Sequence, residues 1–492
     1  MQLIFANYVT DFRIFTTKMC EKICKYQKKA VSLHKIISAI LRPGSSPLQG
    51  GAQCELLCGT VRILQDMTPY NRTSQVEIMA PVGSYESLAA AIKAGANSVY
   101  FGIEHLNMRA RSAANFTTDD LHKIVAICRE AGVKTYLTVN TVIYPEDIEM
   151  MQTIVNHAKQ AGVDAIIASD IAVMQYAVQQ DVEVHLSTQL NIANTEALKF
   201  YAQFADVVVL ARELNLTQVA SIYKDIQEQD IRGRHGEPIR IEMFCHGALC
   251  MAVSGKCYLS LHNLNSSANR GACAQICRRA YVVKDKSSDV ELEVDNEYIM
   301  SPKDLKTIHF LDQMLDAGVR VLKIEGRARG PEYVSTVVRC YREAVEMWEE
   351  SRKSKVESRK TEMEQKIAEW DKQLATVFNR GFWNGYYLGQ RLGEWTNDYG
   401  SKATKRKVYA GKCTNYFKNI GVAEFLLEAI PELHEGDDLL VTGHTTGAYE
   451  CTAREMRTDK PVTVVKQGEL FAIQTTEPLH RGDKLYLLES IG

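Results

Sequence analysis

No apolar run in this chain approaches the roughly eighteen residues that a membrane-spanning helix needs. No charge of one sign dominates either: 58 Lys and Arg face 60 Asp and Glu, so any polyanion must be met by local patches rather than by the whole surface. The chain has neither an HExxH nor a GxSxG motif, which leaves the common zinc- and serine-hydrolase signatures without residues to carry them. A secretory leader is not evident at the N-terminus, and the 13 cysteines fit a reducing cytoplasm better than an oxidising compartment. At 492 residues with 46% apolar content, two or three domains with real cores are expected.

Five of the cysteines crowd into one stretch, EMFCHGALCMAVSGKCYLSLHNLNSSANRGACAQICRRAY, residues 242–281. Cys250, Cys257, Cys273 and Cys277 are separated by six, fifteen and three residues. Four such thiols serve a disulfide pair, a structural zinc or an iron–sulfur cluster, or else stay unligated. Zinc sites favour tight C-x2-C knuckles, which neither pair has; a cluster tolerates uneven spacing because each iron takes a thiolate from its own direction. His246 sits in the same stretch, where it could donate a hydrogen bond or carry a proton.

Residues 1–74 form a basic extension, ten Lys and Arg against four Asp and Glu, read as a poorly packed segment or a misassigned start. Its Cys20, Cys24, Cys54 and Cys58 lack further ligand logic. From Val76 the pattern changes. Short β-branched runs (76–80, 97–103, 134–140, 164–169, 182–187, 206–211, 239–244 and 320–326) alternate with amphipathic helical stretches, including one over 301–318. Eight such units predict a (β/α)8 TIM-like barrel over 75–350 with the cysteine segment inserted after the seventh strand. Alanine–glycine pairs before several strands read as helix ends. The charged run that follows predicts a solvated helical linker, 351–403, and six short alternating runs predict a small C-terminal β-barrel over 404–492.

In a barrel of this kind function gathers at the C-terminal strand ends. Those ends hold Arg109, Arg111, Asn140, Ser169, Asp170, His185, Ser187, Gln189, Arg212, Glu213, Lys323, Glu325 and Arg327. Arginines beside carboxylates suit a small polyanionic ligand. In FNRGFWNGYYLG (378–389), Arg380 and the aromatics could stack an unpaired base or pack a domain junction. Lys402, Lys405, Arg406 and Lys407 form a basic entry to the last domain, suited to RNA phosphates.

The cysteine stretch, with MAPVGSYESLAAAIKAGANSVYFG, HLSTQLN, LARELNL and LKIEGR, resembles the collagenase-like peptidase family U32, from about Val76 to the end. Within that family the resemblance is to the branch that hydroxylates tRNA. It implies an iron–sulfur protein, holding a 4Fe–4S cluster on Cys250, Cys257, Cys273 and Cys277, that installs a hydroxyl on carbon five of a wobble uridine. It also implies prephenate, not dioxygen, as the co-substrate. Prephenate carries two carboxylates, which makes Arg109, Arg111, Arg212 and Arg327 candidate clamps, with Gln189 beside them; Glu325, His185 and His246 are acid–base candidates. The family also holds peptidases and hydroxylases of other RNAs, and those stay as alternatives. The first 74 residues depart from the family pattern.

Overall fold

The computed structural model describes residues 75–111, 115–282, 287, 298–353 and 359–491; the basic extension and its four cysteines lie outside them. Eight short strands are parallel and close on themselves: β1 (Glu77–Pro81), β2 (Ser98–Phe101), β3 (Lys134–Val139), β4 (Ala165–Ala168), β5 (Glu183–Leu186), β6 (Val207–Val209), β7 (Arg240–Gly247) and, after a detour, β9 (Val319–Ile324). Closure comes from β9 pairing with β1 (Glu77 opposite Val321) and with β7 (Ile241 opposite Val319). The (β/α)8 barrel is thus complete.

Side-chain parity explains why nearly every strand residue is apolar. Met79, Tyr100, Tyr136, Ala165, Ile167, Val207 and Val321 point inward and fill the barrel. Their neighbours Ile78, Ala80, Val99 and Phe101 point outward and pack under the helices. Both faces are buried, so the strands need no polar alternation. Helix α1 (Tyr85–Lys93) starts where the Ser84 hydroxyl accepts from the Ser87 amide at 3.2 Å, a side-chain cap of the kind worth about 1 kcal/mol. The alanine–glycine pairs do end helices: Gly162 and Gly318 take φ of 77° and 98°, a conformation that costs glycine nothing.

The helix expected over 301–318 is shorter than its apolar spacing suggested. Residues Asp304–Lys306 form a strand, β8, antiparallel to the end of β7, with Gly247 opposite Leu305. The helix itself covers only Leu311–Asp316. Tertiary pairing overrides local periodicity here, because Leu305 is buried and the Thr307 amide reaches the Cys245 carbonyl at 3.2 Å.

The charged run also differs from a solvated spacer. Helix α2 (Pro331–Lys353) is followed by α3 (Arg359–Thr376), whose Trp370 and Leu374 are fully buried, with Trp370 Nε1 donating to Glu343 Oε2 at 2.8 Å. Beyond it, β10 (Phe382–Trp383) pairs with β8, and the Tyr387 hydroxyl donates to the Phe244 carbonyl at 3.0 Å. The aromatics of 378–389 therefore pack the barrel flank. Trp370→Ala should cost about 3–5 kcal/mol, read as a lowered denaturant midpoint; a spacer helix would show no change.

The small β-barrel expected at the C-terminus takes the form of a six-stranded antiparallel sheet and a two-stranded ribbon around one apolar core. Gly447, with φ of 72°, lies against the backbone of Ala89 and Ala90, where a Cβ would come within 2.6 Å of an amide nitrogen. Ion pairs Lys93–Glu477 and Lys407–Glu332 (2.7 and 2.8 Å) flank that contact.

Candidate active site at the C-terminal mouth of the barrel

The cysteine segment does not hang free of the barrel; it is stitched across the strand ends. Asn269 offers its carbonyl to the Val142 amide (3.2 Å), and Gly271 offers its own to the Arg111 amide (3.1 Å). Asn191 Nδ2 donates to the Ser254 carbonyl at 2.9 Å, and Arg212 donates to the Ser254 hydroxyl at 2.6 Å. Arg270 pairs with Asp147 and lies 4.2 Å over the Tyr144 ring. Arg278 clamps the far end through the carbonyls of Leu249 (2.6 Å) and Pro302 (2.5 Å). Beneath this cover is a cavity of about 270 Å³.

All four predicted cysteines line that cavity, and none is in a disulfide; Cys250 is exposed and the others are half-buried. Burial raises the Cys277 thiol; Arg278 opposes that, and the charges of Cys250, Cys273 and Cys257 add to it. The other three sulfurs are therefore within electrostatic reach of Cys277. Among the described residues, no three ligating groups converge at the spacing of a single metal ion. Cys245 stands apart, fully buried with its Sγ 3.5 Å from the Lys323 carbonyl, and burial drives its thiol well up.

The cavity wall is strongly positive. Among the described residues, Arg109, Arg212, Arg278, Lys323, Arg327, Arg329 and Arg380 line it against a single carboxylate, Glu325. Burial alone would raise Glu325, but the Arg109 charge and hydrogen bond outweigh it, aided by Arg327 and Tyr100, so its carboxyl lies below the usual range. The contacts are Arg109 Nη2 to Glu325 Oε1 at 2.9 Å and the Tyr100 hydroxyl to Glu325 Oε2 at 3.2 Å. Arg327 is buried and held by neutral groups, Thr138 Oγ1 (2.9 Å) and Asn107 Oδ1 (3.1 Å). Burial brings it down to about 10. On the opposite wall Gln189 Nε2 donates to the Asn140 carbonyl at 2.8 Å, and the Ser187 hydroxyl bonds Gln189 Oε1.

Of the sequence candidates, the cavity gathers Glu325, Arg109, Arg212, Arg327, Gln189, the four cysteines and Arg380. Arg380 pairs with Asp304 at 3.3 Å. Arg111 is exposed outside the cavity lining. His185 is sealed inside the barrel, its Nε2 3.0 Å from Glu183 and its ring 4.4 Å from that of Tyr136. His246 is buried among Tyr333, Tyr341 and Phe382. In the last domain Lys405, Arg406 and Lys407 are each ion-paired, with Asp438, Glu489 and Glu332. Sequence reasoning missed Tyr100, Asn107, Thr138, Arg278 and Arg329. Only Arg278 and Arg329 carried a visible signal, as cations beside Cys277 and Arg327.

Burial, with the Lys306 charge adding to it, depresses His246 to about 3. An unfolded histidine takes up its proton near ~6.5, so between these values the unfolded chain binds a proton that the folded chain refuses. The contribution to stability is fully present above ~6.5 and falls as pH drops towards about 3, by up to about 1.4 kcal/mol per pH unit. His246→Gln should flatten that slope in urea titrations run across the same range.

Four similarities to known proteins bear on the site. The sequence profile of Peptidase family U32 matches residues 83–397. The chain is 64% identical to a Porphyromonas gingivalis protein named collagenase, over 83% of this chain and 97% of that one. It is 35% identical to tRNA hydroxylation protein P1 of Bacillus subtilis, over 56% of this chain and 64% of that one. A 23S rRNA 5-hydroxycytidine synthase of Escherichia coli is 34% identical, over 56% of this chain and 40% of its own length.

Proposed function

The chain belongs to Peptidase family U32, and on that premise we propose that the barrel mouth is the active site of an RNA-hydroxylating enzyme. The observation that carries this reading is the cavity itself, where, among the described residues, four thiols outside any disulfide share one wall system with seven cations and one carboxylate. Cys250, Cys257, Cys273 and Cys277 would hold an iron–sulfur cluster of the 4Fe–4S type, whose four corners do not require the ligands to converge on one point. When bound, such a cluster supplies the electron-transfer or iron-ligation chemistry that protein side chains lack.

The remaining roles belong to the chain's own residues. Arg278, Arg329 and Arg380 offset the charge of four thiolates. Arg109, held in place by Glu325, and Arg212 and Arg327, which are bonded only to neutral groups, leave cationic edges for a dicarboxylate such as prephenate. Asn140, Ser187 and Gln189 form a neutral polar edge suited to the donors and acceptors of a uracil ring. The substrate is read as a wobble uridine of tRNA, hydroxylated at carbon five without dioxygen in the cytoplasm. The tRNA and rRNA hydroxylation relatives support RNA as the substrate class.

Peptide hydrolysis is the second reading, favoured by the 64% identity to a protein named collagenase. It finds less support in the side chains: no histidine lines the described cavity, and Ser187 is bonded to Gln189 rather than to a base. Iron and acid-labile sulfide assays on protein isolated without oxygen separate the two. The hydroxylase reading expects both elements and a broad visible absorption lost on cysteine substitution. Colourless protein that cleaves gelatin and resists reconstitution would overturn it.

A further inference from the structure

One charged pair lies deeper than the rest. Lys323 on β9 and Glu242 on β7 face the barrel interior, Nζ to Oε1 2.6 Å, with side-chain exposures of 7% and 0%. A buried pair of this kind is seldom more stabilising than apolar residues of the same volume, so stability does not account for it. Glu242 Oε2 is buried and finds no hydrogen-bond partner among the described residues, and a buried acceptor left so is costly. Glu242 is outside the cavity lining, whereas Lys323 is part of it. The ammonium rests 4.9 Å from the Tyr100 ring centre and 5.6 Å from that of Phe244. The guanidinium of Arg212 stands against the same Phe244 ring at 5.4 Å, and the Tyr100 hydroxyl touches Glu325, the partner of Arg109. An amine with a carboxylate at its back thus sits between guanidiniums on the floor of the cavity.

We propose that Lys323 is a nucleophile that forms an imine with the carbonyl of a 2-oxo acid, while Arg109 or Arg212 grips the acid's carboxylate. Glu242 takes a proton from the ammonium, leaving a neutral amine. The nitrogen lone pair then bonds the carbonyl carbon, the carbonyl electrons move to oxygen, and that oxygen takes up the proton the nitrogen loses. Glu242 returns its proton to the resulting hydroxyl, which departs as water as the carbon–nitrogen double bond forms. Lysine ammonium and ketone give iminium and water, with no change of oxidation state. Lysines beside other cations are suited to this chemistry, and the Glu242 carboxylate, in contact with Nζ, is placed to take the proton that the ammonium gives up. The inference rests on reading the cavity as a carboxylate site, and not on RNA as the substrate.

The test uses the full chain, isolated without oxygen and free of RNA, incubated with pyruvate and cyanoborohydride and digested for peptide mass spectrometry. The expected result is one saturable reduced adduct, on Lys323, slowed about 10²-fold in Glu242→Gln and absent in Lys323→Arg, which keeps a cation for Glu242. Adducts scattered over surface lysines, with none on Lys323, would overturn the proposal. RNA hydroxylation that persists without any adduct at Lys323 would sink the imine alone. An adduct at Lys323 in a chain that hydroxylates no RNA would sink the functional reading and leave the imine standing.

Discussion

Cys273→Ser is expected to strip the protein of iron and to abolish RNA hydroxylation, while the barrel stays folded. Cys273 is half-buried on the cavity wall, and its charge is felt by Cys277 together with those of Cys250 and Cys257. A serine hydroxyl fills nearly the same space but gives iron a harder and far weaker ligand. Loss of groups that merely support metal ligands costs roughly 10–100-fold in affinity or activity, so loss of a ligand itself should cost at least about 10²-fold. Iron content, visible absorption and hydroxylated nucleoside yield should fall together, with far-UV dichroism unchanged. Cys245→Ser is the matched control, because that thiol is sealed against the Lys323 carbonyl and faces no ligand; it should keep its iron. Equal iron in the two variants would remove the four-thiol site from the account.

Glu325→Gln should lower turnover by about 10²-fold or more, the range of a lost acid–base group. Among the described residues the carboxylate is the only acidic side chain lining a wall of seven cations, and Arg109 keeps it ionised below the usual range. Its charged form is therefore fully present above an unperturbed glutamate value of ~4.3 and is lost only as pH falls through the depressed folded value. Wild-type activity should hold its acid limb down to that region, and Glu325→Gln should lose the limb along with the rate. The amide keeps an acceptor for Arg109 but removes the competing negative charge, so affinity for a carboxylate ligand should rise or stay level while turnover falls. A variant that loses affinity alone, with turnover intact, would make Glu325 a binding residue only.

The barrel was legible because its strands are buried on both faces and four of its helices run into left-handed glycines, Gly95, Gly132, Gly162 and Gly318, signals that are local in sequence. Strand β8 was not, because Leu305, Ile308, Leu311 and Met314 carry helical spacing while the pairing that decides the matter comes from β7, some sixty residues earlier. The cysteines could be grouped from spacing alone. That they share a cavity with Arg109, Arg212 and Arg327 depends on a segment folding back over the strand ends, which no local pattern encodes. His185 sits near a strand end like the true lining residues, yet its contact with Glu183 holds it inside the barrel. Lys405, Arg406 and Lys407 read as free cations because Asp438, Glu489 and Glu332 lie far off in the chain. Lys323 was visible only as a charge among apolar strand residues, a signal whose meaning appears once Glu242 is seen beside it.

The most direct measurement is mass spectrometry of nucleosides from unmodified tRNA incubated with the iron-loaded protein and prephenate, without oxygen. The account predicts 5-hydroxyuridine that depends on prephenate and is absent with Cys273→Ser. RNA recovered unchanged by protein that holds its full complement of iron and sulfide would contradict it.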